Sequence, residues 1–222
     1  MNYIELETLL RTNQLTILGG FHPKVSDGTP TDSKTLILLG PWEPYFWKAF
    51  KNSPEFKQDQ TNPLDKWSKR IIINLASNLN ATPLFPFGGS PYLPFYKWAL
   101  KTKRSHRSPI NLLVHDKAGL FVSFRGALSF DKKIKLPTPP PNPCKKCPAP
   151  CLNACPVSAF TKKNYDANLC KTHIENKDSV NCTDTGCASR RACPVSETFP
   201  RLSEQSAFHM NAFLKSKNKA YS

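Results

Sequence analysis

The chain has 222 residues and a formal net charge of +15, from 31 lysines and arginines against 16 aspartates and glutamates. That length allows one sizeable domain and a small additional module. No apolar run approaches the length of a membrane span, and residues 1–20 lack the continuous apolar core of a signal peptide. These features predict a cytoplasmic protein without a membrane partner.

The excess positive charge is spread over both halves of the chain. A basic surface favours an acidic partner, either a redox protein such as a flavodoxin or an acidic ferredoxin, or a nucleic acid such as tRNA. Solubility alone would also account for the charge, because no nucleic-acid-binding motif accompanies it.

Residues 1–135 are predicted to form an α/β domain, because helix-like and strand-like patterns alternate along them. The clearest helix spans residues 63–80, where apolar residues recur at three- and four-residue steps: Leu64, Trp67, Ile71, Leu75 and Leu79. The clearest strand is the apolar run at residues 35–39. Further helices are predicted at residues 3–11 and 92–100, and further strands at 15–18, 110–115 and 120–130.

The ligand of this domain is not identified by any motif. The aromatic run at residues 42–50 is interpreted as core packing. Neither glycine pair, at residues 19–20 and 88–89, has a phosphate-binding pattern. His115 and Asp116 are adjacent on a predicted strand and should point to opposite faces. No catalytic residue is therefore assigned, and His115 and His173 are interpreted as structural.

A proline-rich segment marks the predicted domain boundary. Residues 136–150 contain seven prolines, which favours an extended linker at residues 136–143. A cysteine-rich module follows at residues 144–200, and residues 201–222 are predicted to be a C-terminal tail with a frayed end. The overall prediction is an α+β protein. The module is too short for a large core, so bound metal should stabilise it.

All eight cysteines lie in this module, in two runs that each end in Cys-Pro. The first run reads C-x2-C-x3-C-x3-C-P and begins at Cys144. In a reducing compartment, clustered cysteines bind metal more often than they form disulfides, which are the first alternative. Two four-cysteine zinc sites are the second alternative. Zinc sites commonly use paired C-x2-C knuckles, and only Cys144 and Cys147 form one here.

The two runs resemble those of bacterial two-cluster ferredoxins, in which the last cysteine of each run ligates the other run's [4Fe–4S] cluster. The resemblance implies two clusters with exchanged ligands. The first would be held by Cys144, Cys147, Cys151 and Cys193, and the second by Cys155, Cys170, Cys182 and Cys187. The ferredoxin run has two residues between its second and third cysteines, whereas residues 148–150 make three here, which a bulged loop would absorb.

The module also resembles that of epoxyqueuosine reductase and the related reductive dehalogenases. Residues 170–175, Cys-Lys-Thr-His-Ile-Glu, are similar to that family's phrase Cys-Ile-Ser-Tyr-Leu-Thr-Ile-Glu. This resemblance implies a nitroreductase-like N-terminal domain that binds cobalamin. The family's Asp-Thr-x-Pro phrase, which supplies a proton donor, is missing, and the corresponding region reads Phe-Pro-Phe-Gly-Gly-Ser-Pro-Tyr at residues 85–92.

Taken together, these features predict an iron–sulfur protein that passes single electrons between a donor and a partner or cofactor on the N-terminal domain. Whether it is an enzyme stays open. One alternative is a cobalamin-dependent oxidoreductase of the epoxyqueuosine reductase type. Another is a basic, zinc-stabilised module that binds nucleic acid.

Overall fold

The computed structural model describes residues 1–58, 61–161, 164–176 and 180–216. The chain divides into two units that interleave in sequence. The sheet unit comprises Met1–His106 and Val122–Asn142, and the cysteine unit comprises Arg107–Phe121 and Pro143–Ser222. None of the described helices combines the length and the apolar character needed to cross a membrane.

A four-stranded antiparallel sheet organises the sheet unit. The six described strands are β1 (Leu15–Phe21), β2 (Thr35–Pro41), β3 (Thr82–Leu84), β4 (Ser105–Arg107), β5 (Leu113–His115) and β6 (Gly126–Phe130). The sheet has the order β1-β2-β6-β3, and β4 and β5 form a separate two-stranded sheet. The mixed α+β composition is confirmed. The paired strands of the larger sheet are antiparallel, so the alternation along the chain does not build parallel βαβ units.

Helices cover the apolar residues of this sheet unit. The described helices are α1 (Tyr3–Thr12), α2 (Tyr45–Lys51), α3 (Pro54–Lys57), α4 (Pro63–Leu79) and α5 (Phe95–Lys101). The longest helix, α4, begins at Pro63. The first residues of a helix have no helical partner for their N–H groups, so the N–H that proline lacks is not needed there. Asn80, in a left-handed conformation, caps the end of the helix. Ile71 was predicted to lie on the apolar face of this helix, but the buried isoleucine is Ile72.

The aromatic run between β2 and α3 forms part of the core, as predicted. Phe46, Trp47 and Phe50 are buried. The ring of Phe46 meets Trp67 of α4 edge to face, with centroids 5.1 Å apart. These rings hold α2 and α4 together beside the fully buried strand β2.

The first strand is longer than predicted. β1 continues through Gly19 and Gly20, with a bulge between Ile17 and Gly19. Gly19 has φ +138°, and a Cβ there would lie 2.7 Å from the Cβ of Thr102. The glycine therefore lets the strand pass Thr102 closely instead of ending it.

The predicted hairpin of residues 110–130 is divided between the two units. Its first strand shortens to β5, and its second begins only at Gly126, where β6 pairs with β2 and β3. Residues 107–121 belong to the cysteine unit because Ile110, Val114 and Leu120 are buried in that unit's core. The proline-rich residues up to Asn142 belong to the sheet unit instead of forming a separate linker. The boundaries therefore differ from the predicted 1–135, 136–143 and 144–200.

Short helices build the rest of the cysteine unit. They are α6 (Ala167–Glu175), α7 (Val180–Thr185), α8 (Ala188–Arg191), α9 (Pro194–Glu197) and α10 (Ser203–Lys215). The core residues Ile110, Val114 and Leu120 pack with Phe160 and with two of the cysteines. The predicted tail contains α10, which packs against α6 and α7. The last six residues, where fraying was predicted, lie outside the described part of the chain.

An ion pair joins α3 to α4 within the sheet unit. Arg70 donates from Nε and Nη2 to the two carboxylate oxygens of Glu55, at 2.6 and 3.0 Å. Glu55 is buried, whereas the side chain of Arg70 is 45% exposed. The hydrogen bonds from Arg70 outweigh burial and lower the pKa of Glu55 to about 2.

Replacing Glu55→Gln is expected to lower the free energy of unfolding of the sheet unit by about 1–2 kcal/mol at pH 7, since water screens half-exposed Arg70. Folding lowers the pKa of Glu55 from 4.5 to about 2. The stabilisation is therefore complete above about pH 5 and is lost as the pH falls toward 2. Denaturant unfolding followed by tryptophan fluorescence measures it, because all four tryptophans lie in the sheet unit.

The control is Asp131→Asn at an exposed position. A stability difference between wild type and Glu55→Gln that stayed constant from pH 7 to pH 3 would contradict this account of the pair.

Candidate metal centre

The eight cysteines come together in two groups of four. The first cysteine group comprises Cys144, Cys147, Cys151 and Cys193. The second cysteine group comprises Cys155, Cys170, Cys182 and Cys187. Each group combines both runs, and this is the grouping that the resemblance to two-cluster ferredoxins implies. None of the eight, all within the described residues, takes part in a disulfide.

The first cysteine group borders a cavity of about 310 Å³. Cys144, Cys147 and Cys193 line it, together with apolar side chains that include Val114 and Val195. Cys151 and Cys193 are buried, and the other two cysteines are half-buried. The group therefore lies at the edge of the unit's core and is partly open to solvent.

A left-handed turn brings the first run into place. Ala149 has φ +58°, and its N–H donates to the Sγ of Cys147 at 3.4 Å. A 3-10 helix, Pro150–Leu152, then carries Cys151 into the core. The additional residue of the first run is absorbed in this turn.

The second cysteine group lines one smaller cavity. Helix α6 carries Cys170, α7 carries Cys182, and Cys187 caps the start of α8. The N–H of Ala159 donates to the Sγ of Cys155 at 3.3 Å. The cavity that these thiols line together with neighbouring side chains is about 10 Å³, the room of roughly one water molecule.

Burial and the neighbouring sulfurs favour the protonated thiols of Cys144 and Cys151. Burial, followed by the charges of Cys147, Cys193 and Cys151, raises the pKa of Cys144 to about 11. Burial and the charges of Cys193 and Cys147 also raise the pKa of Cys151. Metal binding at this group must therefore displace protons, since thiolates are the form that ligates.

The second group has polar and charged neighbours that favour thiolates. Burial raises the pKa of Cys170, while a hydrogen bond with the Tyr165 hydroxyl opposes the rise. Burial also raises the pKa of Cys187, and the guanidinium of Arg190 opposes it. Arg190 is held by a bond of 2.6 Å from Nη1 to the carbonyl oxygen of Leu120. A negative charge at this group is therefore partly compensated by the protein.

The described side chains do not form a site for a single metal ion. Among residues 1–58, 61–161, 164–176 and 180–216, no three His, Cys, Asp or Glu side chains are close enough to hold one ion. A [4Fe–4S] cluster places its four thiolates on four different iron atoms, so they stand further apart than the ligands of one ion. The lack of a single-ion site among the described residues therefore does not bear on a [4Fe–4S] cluster.

The two histidines near the site have different surroundings. His115 Nε2 lies 3.1 Å from Asp116 Oδ1, so the prediction that these side chains point apart is wrong. The Nδ1 of His115 accepts the N–H groups of Lys117 and Ala118, which ties the ring into the turn that closes at Gly119. His173 lines the cavity of the second cysteine group.

Sequence reasoning missed Tyr165, whose ring stacks on Phe160 at 4.4 Å and whose hydroxyl bonds with Cys170. No spacing rule identifies a tyrosine five residues before a ligand, and only the bridge between Phe160 and Tyr165 brings it there. The core residues before the first run were also missed, because their patterns resemble those of an ordinary strand.

The loop at residues 85–92 borders a separate cavity of about 300 Å³ in the sheet unit. The residues that line it include Phe85, Phe87 and Tyr92. No family model, curated protein or solved structure matches this chain.

Gly186, which directly precedes Cys187, passes close to α10 in a backbone conformation that favours glycine. It has φ +89°, and a Cβ there would lie 2.7 Å from the Cβ of Ser206 on α10. Gly186→Ala is therefore expected to destabilise the cysteine unit by about 2–3 kcal/mol, from backbone strain together with overpacking. Amide hydrogen exchange in α8 and α10 measures the loss.

Gly28→Ala is the matched control, because Gly28 is also left-handed, with φ +67°, but its nearest atom is 4.0 Å from the added Cβ. It should cost about 1 kcal/mol in the sheet unit and leave the exchange of α8 and α10 unchanged. Equal losses in the two variants would show that the contact with Ser206 has no effect.

Proposed function

We propose that the protein transfers electrons through two [4Fe–4S] clusters, one at each cysteine group. The observation that carries the proposal is the grouping itself: two sets of four thiols, each drawn from both cysteine runs. Four thiolates are the usual ligands of [4Fe–4S] clusters, and exchanged ligands are typical of two-cluster ferredoxins. The donor set fits this group, because it contains only thiols and has N–H groups directed at Cys147 and Cys155.

Each cluster, when bound, would accept and release one electron. The protein's own residues would hold the clusters and stabilise their charge. Arg190 and Tyr165 offset negative charge at the second cysteine group, while the cavity beside the first is much wider, about 310 Å³ against about 10 Å³. Electrons would therefore enter at the first cysteine group.

Anaerobic purification tests the proposal. The protein should be brown and carry about eight iron and eight acid-labile sulfide atoms per chain, with paramagnetic signals after reduction by dithionite. Colourless protein that contains zinc and no sulfide would contradict it. Cobalamin added to the same preparation tests the reductase hypothesis, since co-elution with a shifted spectrum would favour a cofactor on the sheet unit.

Cysteine substitutions test the exchange of ligands. Cys193→Ala and Cys151→Ala should each lower the iron content from about eight to about four atoms per chain. Both variants should keep the same electron paramagnetic resonance (EPR) signal, that of the second cluster. Cys155→Ala and Cys187→Ala should both keep the signal of the first cluster instead. Iron analysis with EPR measures both effects. The proposed exchange of ligands is wrong if the EPR spectrum of Cys193→Ala matches that of Cys187→Ala.

The electron donor is expected to be an acidic redox protein such as a flavodoxin. Lys145 and Lys146 are exposed between two ligands of the first cysteine group. Replacing both with glutamate should slow reduction by an acidic flavodoxin about tenfold at low salt, because electrostatic attraction speeds encounter. The difference should shrink as the salt concentration rises.

Lys66→Glu with Lys69→Glu is the matched control, since this pair makes the same change of net charge at exposed sites on α4. Stopped-flow reduction at several salt concentrations separates the two variants. Equal slowing by both pairs would attribute the effect to net charge rather than to a docking site.

A further inference from the structure

A buried hydroxyl group without a partner lies beside the second cysteine group. Ser189 is on α8, two residues after Cys187, and is 0% exposed. Its Oγ has no hydrogen-bond partner among the described residues. A buried hydroxyl that is left unpaired destabilises the fold, so native proteins rarely retain one without a reason.

The position of Ser189 indicates what its partner is. Ser189 lines the same cavity as Cys155, Cys170, Cys182 and Cys187. Most of the other residues that line it are apolar, including Val157, Phe160 and Met210. The backbone N–H of Ser189 also bonds to the sulfur of Cys187. An acceptor for the hydroxyl is therefore to be sought in this cavity, among sulfur atoms.

We infer that the Ser189 hydroxyl donates a hydrogen bond to a sulfur atom of the [4Fe–4S] cluster at the second cysteine group and raises that cluster's reduction potential. The inference rests on the proposed function, because the acceptor is a thiolate or an inorganic sulfide of the cluster.

The direction of the effect follows from charge. Reduction adds one negative charge to the cluster, and a hydrogen-bond donor stabilises the reduced state more than the oxidised state. The described lining of the first group's cavity contains no serine, threonine or tyrosine. Lys146 does line that cavity, so the prediction concerns the second cluster by itself: its potential should be higher with the Ser189 hydroxyl than without it.

The test uses Ser189→Ala, which removes the hydroxyl and leaves a similar volume. Anaerobic redox titration followed by EPR should show that the second cluster is about tenfold harder to reduce, which is 59 mV for a one-electron couple. The Cys151→Ala background assigns the step, because only the second cluster should remain there. Ser189→Thr keeps a hydroxyl and should keep the wild-type potential.

Ser196→Ala is the matched control. The Ser196 hydroxyl is buried too, but it accepts the N–H of Leu120 at 2.9 Å and does not line the second cavity. This variant should lower the melting temperature without moving the potential of the second cluster.

An unchanged potential in Ser189→Ala, with full iron and sulfide, overturns the inference and leaves the proposed function standing. Loss of the second cluster from both Ser189→Ala and Ser189→Gly, but not from Ser189→Thr, also overturns it, because the hydroxyl would then serve assembly. Wild-type protein without iron and sulfide overturns the proposed function, and this inference with it.

Discussion

Four thiols held in one half-buried site repel one another once they lose their protons, and the cysteine unit is built around this constraint. Burial and the charges of the neighbouring cysteines together raise the pKa of Cys144 to about 11. The unit's core is small, and two of its buried members are themselves ligand candidates, Cys151 and Cys193. The same sulfurs would thus pack the core and bind the cofactor. The stability of the unit and the occupancy of its sites would therefore be coupled.

The two groups meet this constraint differently. The first is partly exposed, so solvent and the neighbouring lysines can moderate charge there. The second lines a much smaller cavity and has Arg190 and Tyr165 as polar neighbours. If clusters bind at both groups, this difference in surroundings would give them different potentials.

The grouping of the cysteines could be predicted from the resemblance of the two Cys-Pro runs to those of two-cluster ferredoxins. The strand β2 and the helix α4 were also predictable, since long apolar patterns with a clear period dominate local structure. The strand β1 was predicted to end at Gly19 because a glycine pair often interrupts a strand. Here the bulge and the close approach to Thr102 require glycine at position 19 within the strand. Tyr165 and Ser189 could not be found, because their roles depend on which turn faces which sulfur. His115 and Asp116 were misplaced because a turn, not a regular strand, follows His115.

The interleaving of the two units has a consequence for synthesis. Ile110, Val114 and Leu120 emerge from the ribosome well before the first cysteine, yet most of the residues that they pack with lie beyond position 143. A fragment that starts at the proline-rich segment would lack this part of the core. A nascent chain that ends before the first cysteine would have these three side chains without those partners. The sheet unit, by contrast, has its whole sequence available by residue 142.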